Sequence, residues 1–153
     1  MEMSASLVAV RRPEITATVT RGAARLLADL GHAPLAEVTL PNGRRADLMA
    51  LDRKGRIFIV EVKSSIEDFR TDAKWGEYLP YCDGFAFAVA PEFPQHVLPD
   101  EPGLIVCDGF GGAVLREAPA TPLAGARRKA LTLAFARLAA LRAAGVAATL
   151  LEG

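Results

Sequence analysis

Apolar residues first recur at helical spacing at Ile15, Val19, Ala23, Leu26 and Leu30. Pro13 suits the first position of a helix, Glu14 the first turn, and Gly31 a left-handed cap. The pattern therefore predicts a helix from about Glu14 to Leu30. Three strand-like runs follow: Leu35 to Leu40, Arg45 to Leu51, and Ile57 to Lys63. The turn signals Pro41-Asn42-Gly43 and Asp52-Arg53-Lys54-Gly55 separate them, and such short turns predict antiparallel neighbours. Strand three is apolar on both faces until Glu61, as expected of a central strand covered on both sides.

Ser64 and Ser65 can cap the next helix, with Glu67 completing a capping box. Residues 66 to 79 read as mostly helical, with a break near Thr71-Asp72 and a stop at Pro80. Phe85 to Ala90 is a fourth, buried strand, and Pro91 to Pro102 a proline-rich loop. Leu104 to Cys107 and Ala113 to Arg116 form a late hairpin around Gly109-Phe110-Gly111-Gly112. A linker from Pro119 to Gly125 leads to a long helix, about Ala126 to Ala144, with Leu131, Phe135, Leu138 and Leu141 in one stripe. This order predicts an α/β (α+β) fold, a mixed sheet flanked by helices.

Composition narrows the class. The chain has 153 residues, 51% hydrophobic and 24% charged, the make-up of one ordinary globular domain. Cys82 and Cys107 lack metal-ligand spacing and lie in apolar surroundings, so buried thiols in a reducing compartment are expected. No signal peptide and no membrane span of about 18 apolar residues is found, which points to the cytoplasm. Formal net charge is zero, so any nucleic-acid partner needs a local basic patch. Arg11/Arg12, Arg44/Arg45, Arg53/Lys54/Arg56 and Arg127/Arg128/Lys129 are the candidates, each with a solvated face or turn as the simpler reading.

The chemistry concentrates in the second hairpin. If it is symmetrical about Lys54, Asp47 lies directly opposite Glu61, with Cβ atoms about 4.5–5.5 Å apart. Lys63, two residues on, joins that face. A glutamate ending a buried strand is unfavourable unless paired or metal-bound. Two adjacent carboxylates also repel unless a cation lies between them. Mg²⁺ takes one or two carboxylates plus waters and phosphate oxygens. It would acidify a water and polarise a phosphoryl oxygen, while Lys63 orients that water or stabilises developing charge. Against this stands a plain Glu61–Lys63 ion pair at a strand end.

Arg45-Ala46-Asp47 followed by Ile59-Val60-Glu61-Val62-Lys63 resembles the PD-(D/E)xK nuclease superfamily, whose core order is also α-β-β-β-α-β. The run Glu61-Val62-Lys63-Ser64-Ser65-Ile66-Glu67-Asp68-Phe69-Arg70-Thr71-Asp72 resembles the MmcB-type bacterial DNA-repair proteins. So do Lys74-Trp75, Tyr78, Tyr81-Cys82-Asp83 and Gly103-Leu104-Ile105-Val106. The likeness covers about residues 12 to 118. It implies a restriction-endonuclease-like core in a single nuclease-like domain over 1–153. It also implies Asp47, Glu61 and the Val62 carbonyl as ligands of Mg²⁺ (or Mn²⁺), Lys63 as the catalytic lysine, and DNA repair as the role. Ala46 replaces the proline that names the motif, at a position that varies in the superfamily.

The resemblance, together with position, implies supporting residues. Glu14 on the first helix is placed to point at the metal, or simply to complement the helix dipole. Glu37 lies on strand one near Asp47. Lys74 and Tyr78, four apart, are expected to share a helix face, contacting phosphate or ordering Lys63. Arg44, Arg45 and Lys74 are the DNA-binding candidates. Trp75 reads as core rather than as a base-stacking platform. His32 and His96 stand alone, and the glycine-rich Gly109–Gly112 turn lacks the Lys-Ser/Thr of a phosphate loop. The expected function is a Mg²⁺-dependent DNA-repair nuclease, with other repair proteins as further partners. The alternatives are a nuclease-fold protein that binds DNA or a partner without cutting, and an interaction module that dimerises through its Ala-rich C-terminal helix.

Overall fold

A computed structural model describes residues 5–71 and 74–146, without the side chains of 5–12, 68, 70 and 71. Arg11 and Arg12 as a basic patch, and Asp72 at the expected helix break, lie outside the described residues. The elements are α1 (Ala5–Asp29), β1 (Ala33–Thr39), β2 (Arg45–Leu51), β3 (Ile57–Val62) and α2 (Ile66–Thr71). A 3₁₀ turn (Trp75–Tyr81) follows, then β4 (Gly84–Val89), a second short 3₁₀ turn (Gln95–Val97), β5 (Gly103–Cys107), β6 (Gly112–Arg116) and α3 (Gly125–Ala143).

All six strands form one sheet in chain order. β1, β2 and β3 are antiparallel neighbours, β3, β4 and β5 run parallel, and β6 returns antiparallel. This is the mixed α+β sheet that the pattern predicts. Among the described residues no helix is long and apolar enough to cross a membrane.

The two sheet faces differ in residue size. Leu48, Ala50, Val60, Val62, Ala86, Ala88, Ile105 and Cys107 pack with Val19, Ala23 and Leu27 of α1. The alanines there let α1 lie close. Ile57, Ile59, Phe85, Phe87, Val89 and Leu104 pack on the other face with Leu131, Ala134, Phe135 and Leu138 of α3 and with Tyr78. Trp75 stacks on Phe85 with ring centroids 5.8 Å apart, so it belongs to this core. Cys82 and Cys107 are free and buried, one in each layer.

Three helical expectations are corrected. α1 begins before Pro13 and runs through it. Its buried stripe is Val19, Ala23 and Leu27, whereas Ile15 and Leu30 are exposed. An i, i+4, i+8 row fits the sheet better than the i+3 step to Leu26 assumed from the pattern. Gly31 does cap α1, at φ +91: its N–H donates to the Ala28 carbonyl and that of His32 to Leu27, as in a Schellman motif. Pro80 does not stop the second helical region, because that region is 3₁₀ and continues to Tyr81. Proline removes the N–H that would reach the Glu77 carbonyl. Asn42 Nδ2 supplies the missing donor to that oxygen at 3.0 Å. On α3 the expected stripe is buried except Leu141, 39% exposed.

Asp83, at the start of β4, ties these layers together. It is buried and accepts N–H bonds from Ile57 at 2.8 Å and Leu123 at 2.9 Å. Arg128 of α3 grips both its oxygens at 2.5 Å. Burial alone would push its carboxyl up, but Arg128 and the Ile57 and Leu123 N–H groups outweigh that and hold it at about 2.

Replacing Asp83 by alanine strands an arginine and two buried N–H groups. Loss of one partner of such a pair lowers stability by about 3–5 kcal/mol, read as the urea midpoint at neutral pH. The ordinary aspartate pKa is about 3.9, so this contribution is complete above that pH and disappears as pH falls through about 2. An unchanged midpoint in Asp83→Ala would contradict the assignment.

Candidate functional site

Residues Leu48 to Leu51 of β2 pair with Val60 to Ile57 of β3. Extending that register sets Asp47 opposite Glu61, as the symmetrical hairpin predicts. The ladder nevertheless stops one pair earlier, at Leu48 and Val60. Side chains then take over from main chain. The Asp47 N–H donates to Glu61 Oε1 at 2.9 Å, and the Val62 N–H donates to Asp47 Oδ2 at 2.7 Å. Each carboxylate thus engages the strand that carries the other.

Glu37 explains why Asp47's amide is available. Glu37 has φ +53. The β1–β2 pairing skips it, passing from Ala36↔Leu48 to Val38↔Ala46. Asp47, which stands opposite it, is skipped by the same register and gives its N–H to Glu61. Arg142 of α3 donates to the carbonyls of Ala36 and Glu37 and holds the irregular backbone. Glu37's own side chain is exposed. It bears on Asp47 through its backbone, and its carboxylate is turned to solvent.

Glu61 and Lys63 share the parity of Ile57 and Ile59, so they face the layer of α3 and Tyr78. They are 5% and 4% exposed, an unusual depth for either residue type. Burial raises the Glu61 carboxyl, and the Asp47 charge adds to it. The Asp47 N–H bond and the Lys63 ammonium oppose this but lose, leaving it at about 9. An anion at Glu61 therefore needs a cation beyond Lys63. Two carboxylates meet here, which is the hard oxygen set a Mg²⁺ ion takes together with waters. Val62 can add a third oxygen. In an extended residue N–H and C=O point to the same edge, and Val62's N–H faces Asp47. The residues fit the ion.

Other expected members fall elsewhere. Among the described residues no group of three or more His, Cys, Asp or Glu could hold a metal, so neither Glu14 nor Glu37 joins Asp47 and Glu61. Glu14 is exposed on α1 and lines a cleft with Thr18, Ser64, Pro91 and Asp108 on the opposite sheet face. Lys74 and Tyr78 do not share a face, because 3₁₀ geometry sets residues four apart a third of a turn off. Tyr78 is buried and donates its hydroxyl to the Arg45 carbonyl at 3.3 Å, while Lys74 is exposed. Tyr78 thereby braces the strand two residues before Asp47.

Four of the basic candidates have partners within the fold. Arg44 pairs with Glu77 at 2.5 Å, Arg56 with Asp52, and Arg128 with Asp83. Arg127 donates to the Pro80 carbonyl and lies over the Tyr81 ring. Arg45 is exposed, on the strand that carries Asp47. From the sequence Arg128 is only part of a candidate basic patch, and neither Asp83 nor Arg142 has a role. Only the apolar surroundings of Asp83 signal its burial, and nothing local pairs it with an arginine 45 residues on.

Two expected outcomes follow from this geometry. The folded Glu61 carboxyl holds its proton more tightly than the unfolded one, whose pKa is about 4.3. Stability of the metal-free protein should therefore fall as pH rises from there towards 9. Glu61→Gln should flatten that slope in urea titrations with chelator, and a parallel slope would count against the assignment. A left-handed residue other than glycine costs about 1–2 kcal/mol. Glycine's extra chain entropy returns about 0.5–1. Glu37→Gly should then gain about 0.5–1 kcal/mol net; a loss of stability would show that the Glu37 side chain matters.

A family model described as "DNA repair protein MmcB-like" matches residues 3–149. A solved structure from Silicibacter pomeroyi, a protein of unknown function, is 43% identical and superposes with a TM-score of 0.82, covering 84% of this chain and 88% of that one. A repair endonuclease from Pyrococcus abyssi is matched at 15% identity and a TM-score of 0.33, over 63% of this chain and 42% of that one, a likeness too slight to carry argument. No curated protein matches the chain.

Proposed function

The chain belongs to the MmcB-like DNA repair protein family, and from that premise we propose that it is a nuclease that hydrolyses DNA phosphodiester bonds with Mg²⁺. The observation that carries this reading is the cross-bonding of Asp47 and Glu61 beyond the end of the β2–β3 ladder, with Lys63 buried beside them.

Asp47, Glu61 and the Val62 carbonyl would hold the ion, which would supply an acidified water and neutralise charge on the scissile phosphate. The protein residues do the rest. The main-chain bonds preset the two carboxylates, so little reorganisation accompanies substrate entry. The Lys63 ammonium, held out of bulk water, orients the nucleophile and stabilises charge that develops on the phosphate. Arg45 and Lys74, both exposed, would be the cations that meet the DNA backbone. Arg44 is a poorer candidate because Glu77 already neutralises it.

One observation favours a second reading. With its carboxyl raised above neutrality by burial, Glu61 can stay protonated and share hydrogen bonds with Asp47 without any metal. The protein would then bind DNA, or another repair protein, and not cut.

Calorimetric titration with Mn²⁺ separates the two. Heat with wild type and none with Asp47→Asn is expected. Lys63→Ala should keep the heat and lose about a hundredfold or more in DNA cleavage. Absence of heat in wild type, or full cleavage by Lys63→Ala, would overturn the nuclease reading. Salt-sensitive DNA binding without turnover would establish the second.

A further inference from the structure

A cavity of about 240 Å³ lies on the α1 face, at the end of the sheet where β3 and β4 begin. Its origin is in the sequence. Leu27 is the last residue of α1 buried against the sheet, and the helix ends at Asp29. Beyond that point the chain places small residues, Gly84, Ala86, Ala118 and Ala120, which leave space below the helix end. Phe58 makes the flat wall. A Cβ on Gly84 would lie 2.9 Å from that ring, so the glycine lets the ring lie against β4. His32 meets Phe58 edge-on, with ring centroids 4.9 Å apart. The His32 Nδ1 is buried without a hydrogen-bond partner among the described residues, although such atoms nearly always find one.

The mouth is cationic. An adjoining space of about 370 Å³ shares Leu30, His32 and Arg56 with the cavity and adds Arg53 and Lys54 from the β2–β3 turn. Arg53 reaches back to the end of α1, its Nε 3.7 Å from where a Cβ on Gly31 would be. Of the acids that line the two spaces, Asp83 is paired with Arg128, Asp52 with Arg56 and Asp29 with Arg25. Glu117 remains. Against it stand three cations. Arg53 and Lys54 make no ion pair among the described residues. Arg116 donates to neutral carbonyls, those of Pro102 at 2.8 Å and Pro99 at 2.9 Å, and so keeps its charge. The end of α1 would repel an anion, but the N–H groups of Gly31 and His32 already cap its last carbonyls.

We propose that this cavity is a binding site for a small aromatic carboxylate, its ring beside Phe58 and its carboxylate at the cationic mouth. Ligand sites are apolar hollows with a few placed polar groups, mostly about 300–1,000 Å³, and this one, at about 240 Å³, takes a body of one or two rings. A guanidinium at the rim matches a carboxylate with parallel N–H bonds. The inference does not rest on the proposed nuclease. Phe58 faces α1 at the start of β3, whereas Glu61 faces α3 at its end.

Calorimetric titration of the full chain in chelator compares naphthoate with naphthylmethylammonium, which has the same rings and the opposite charge. Wild type should give saturable heat with the acid and none with the amine. Ala120→Leu, at an exposed edge of the cavity, should weaken the acid about tenfold by filling its space, with the urea midpoint kept. Arg53→Ala and Lys54→Ala should each weaken it about threefold and make the remaining binding less sensitive to salt. No heat with the acid, equal heats for acid and amine, or wild-type affinity in Ala120→Leu would overturn the proposal. Should Ala120→Leu lower the urea midpoint, the charge variants decide, and unchanged affinity in both would overturn it equally.

Discussion

Asp83 and Arg128 set the frame in which everything else sits. A buried carboxylate with two N–H donors and a bidentate arginine joins the starts of β3 and β4, the segment before α3, and α3 itself. Because the arginine also donates to the Gly55 carbonyl, the turn that leads into β3 is anchored at the same point. Removing Arg128 would leave the buried Asp83 carboxylate without its cation, which is why such a contact tolerates little change. Its structural effect is register. β3 enters the sheet at Ile57 with one fixed parity, so Glu61 and Lys63 face the α3 layer. A slip of one residue would exchange them with Val60 and Val62.

At the far end of β3 the opposite principle operates. The sheet stops forming main-chain pairs, and two carboxylates satisfy the freed amides. The left-handed backbone of Glu37 and the grip of Arg142 on its carbonyl make that possible. Backbone strain of this kind persists only where neighbours over-determine it, and it often accompanies sites of chemistry. α3 therefore braces the sheet at two places, the turn into β3 through Arg128 and β1 beside Asp47 through Arg142. Removing the bulk of α3 would disturb the pair of acids without touching them.

The charge distribution has a related logic. The chain is neutral overall, and three arginines in its basic clusters pair within the fold: Arg44 with Glu77, Arg56 with Asp52, Arg128 with Asp83. Counting cations along the chain thus overstates the surface available to phosphate. DNA, the partner proposed above, would have to be met by a few exposed cations such as Arg45.

Local pattern was enough for the strands. Strand-length runs bounded by Pro-Asn-Gly and Lys-Gly turns mark β2 and β3 almost to the residue, and hairpin symmetry brings Asp47 opposite Glu61, because strand period and turn length are short-range properties. The same reasoning failed where partners are distant in the chain. Pro80 was read as a stop because Asn42, which completes its 3₁₀ turn, lies far upstream. Lys74 and Tyr78 were set on one face because an α-helix was assumed. Glu14 was brought to the metal and Glu37 given an acid's role, whereas packing turned one to another cleft and the other outward. The chain by itself determined which residues can carry the chemistry and on which strands they stand. Tertiary structure alone decided which of them meet, how deeply they are buried and which cations remain for a partner, since burial and pairing depend on groups that only the folded sheet brings together.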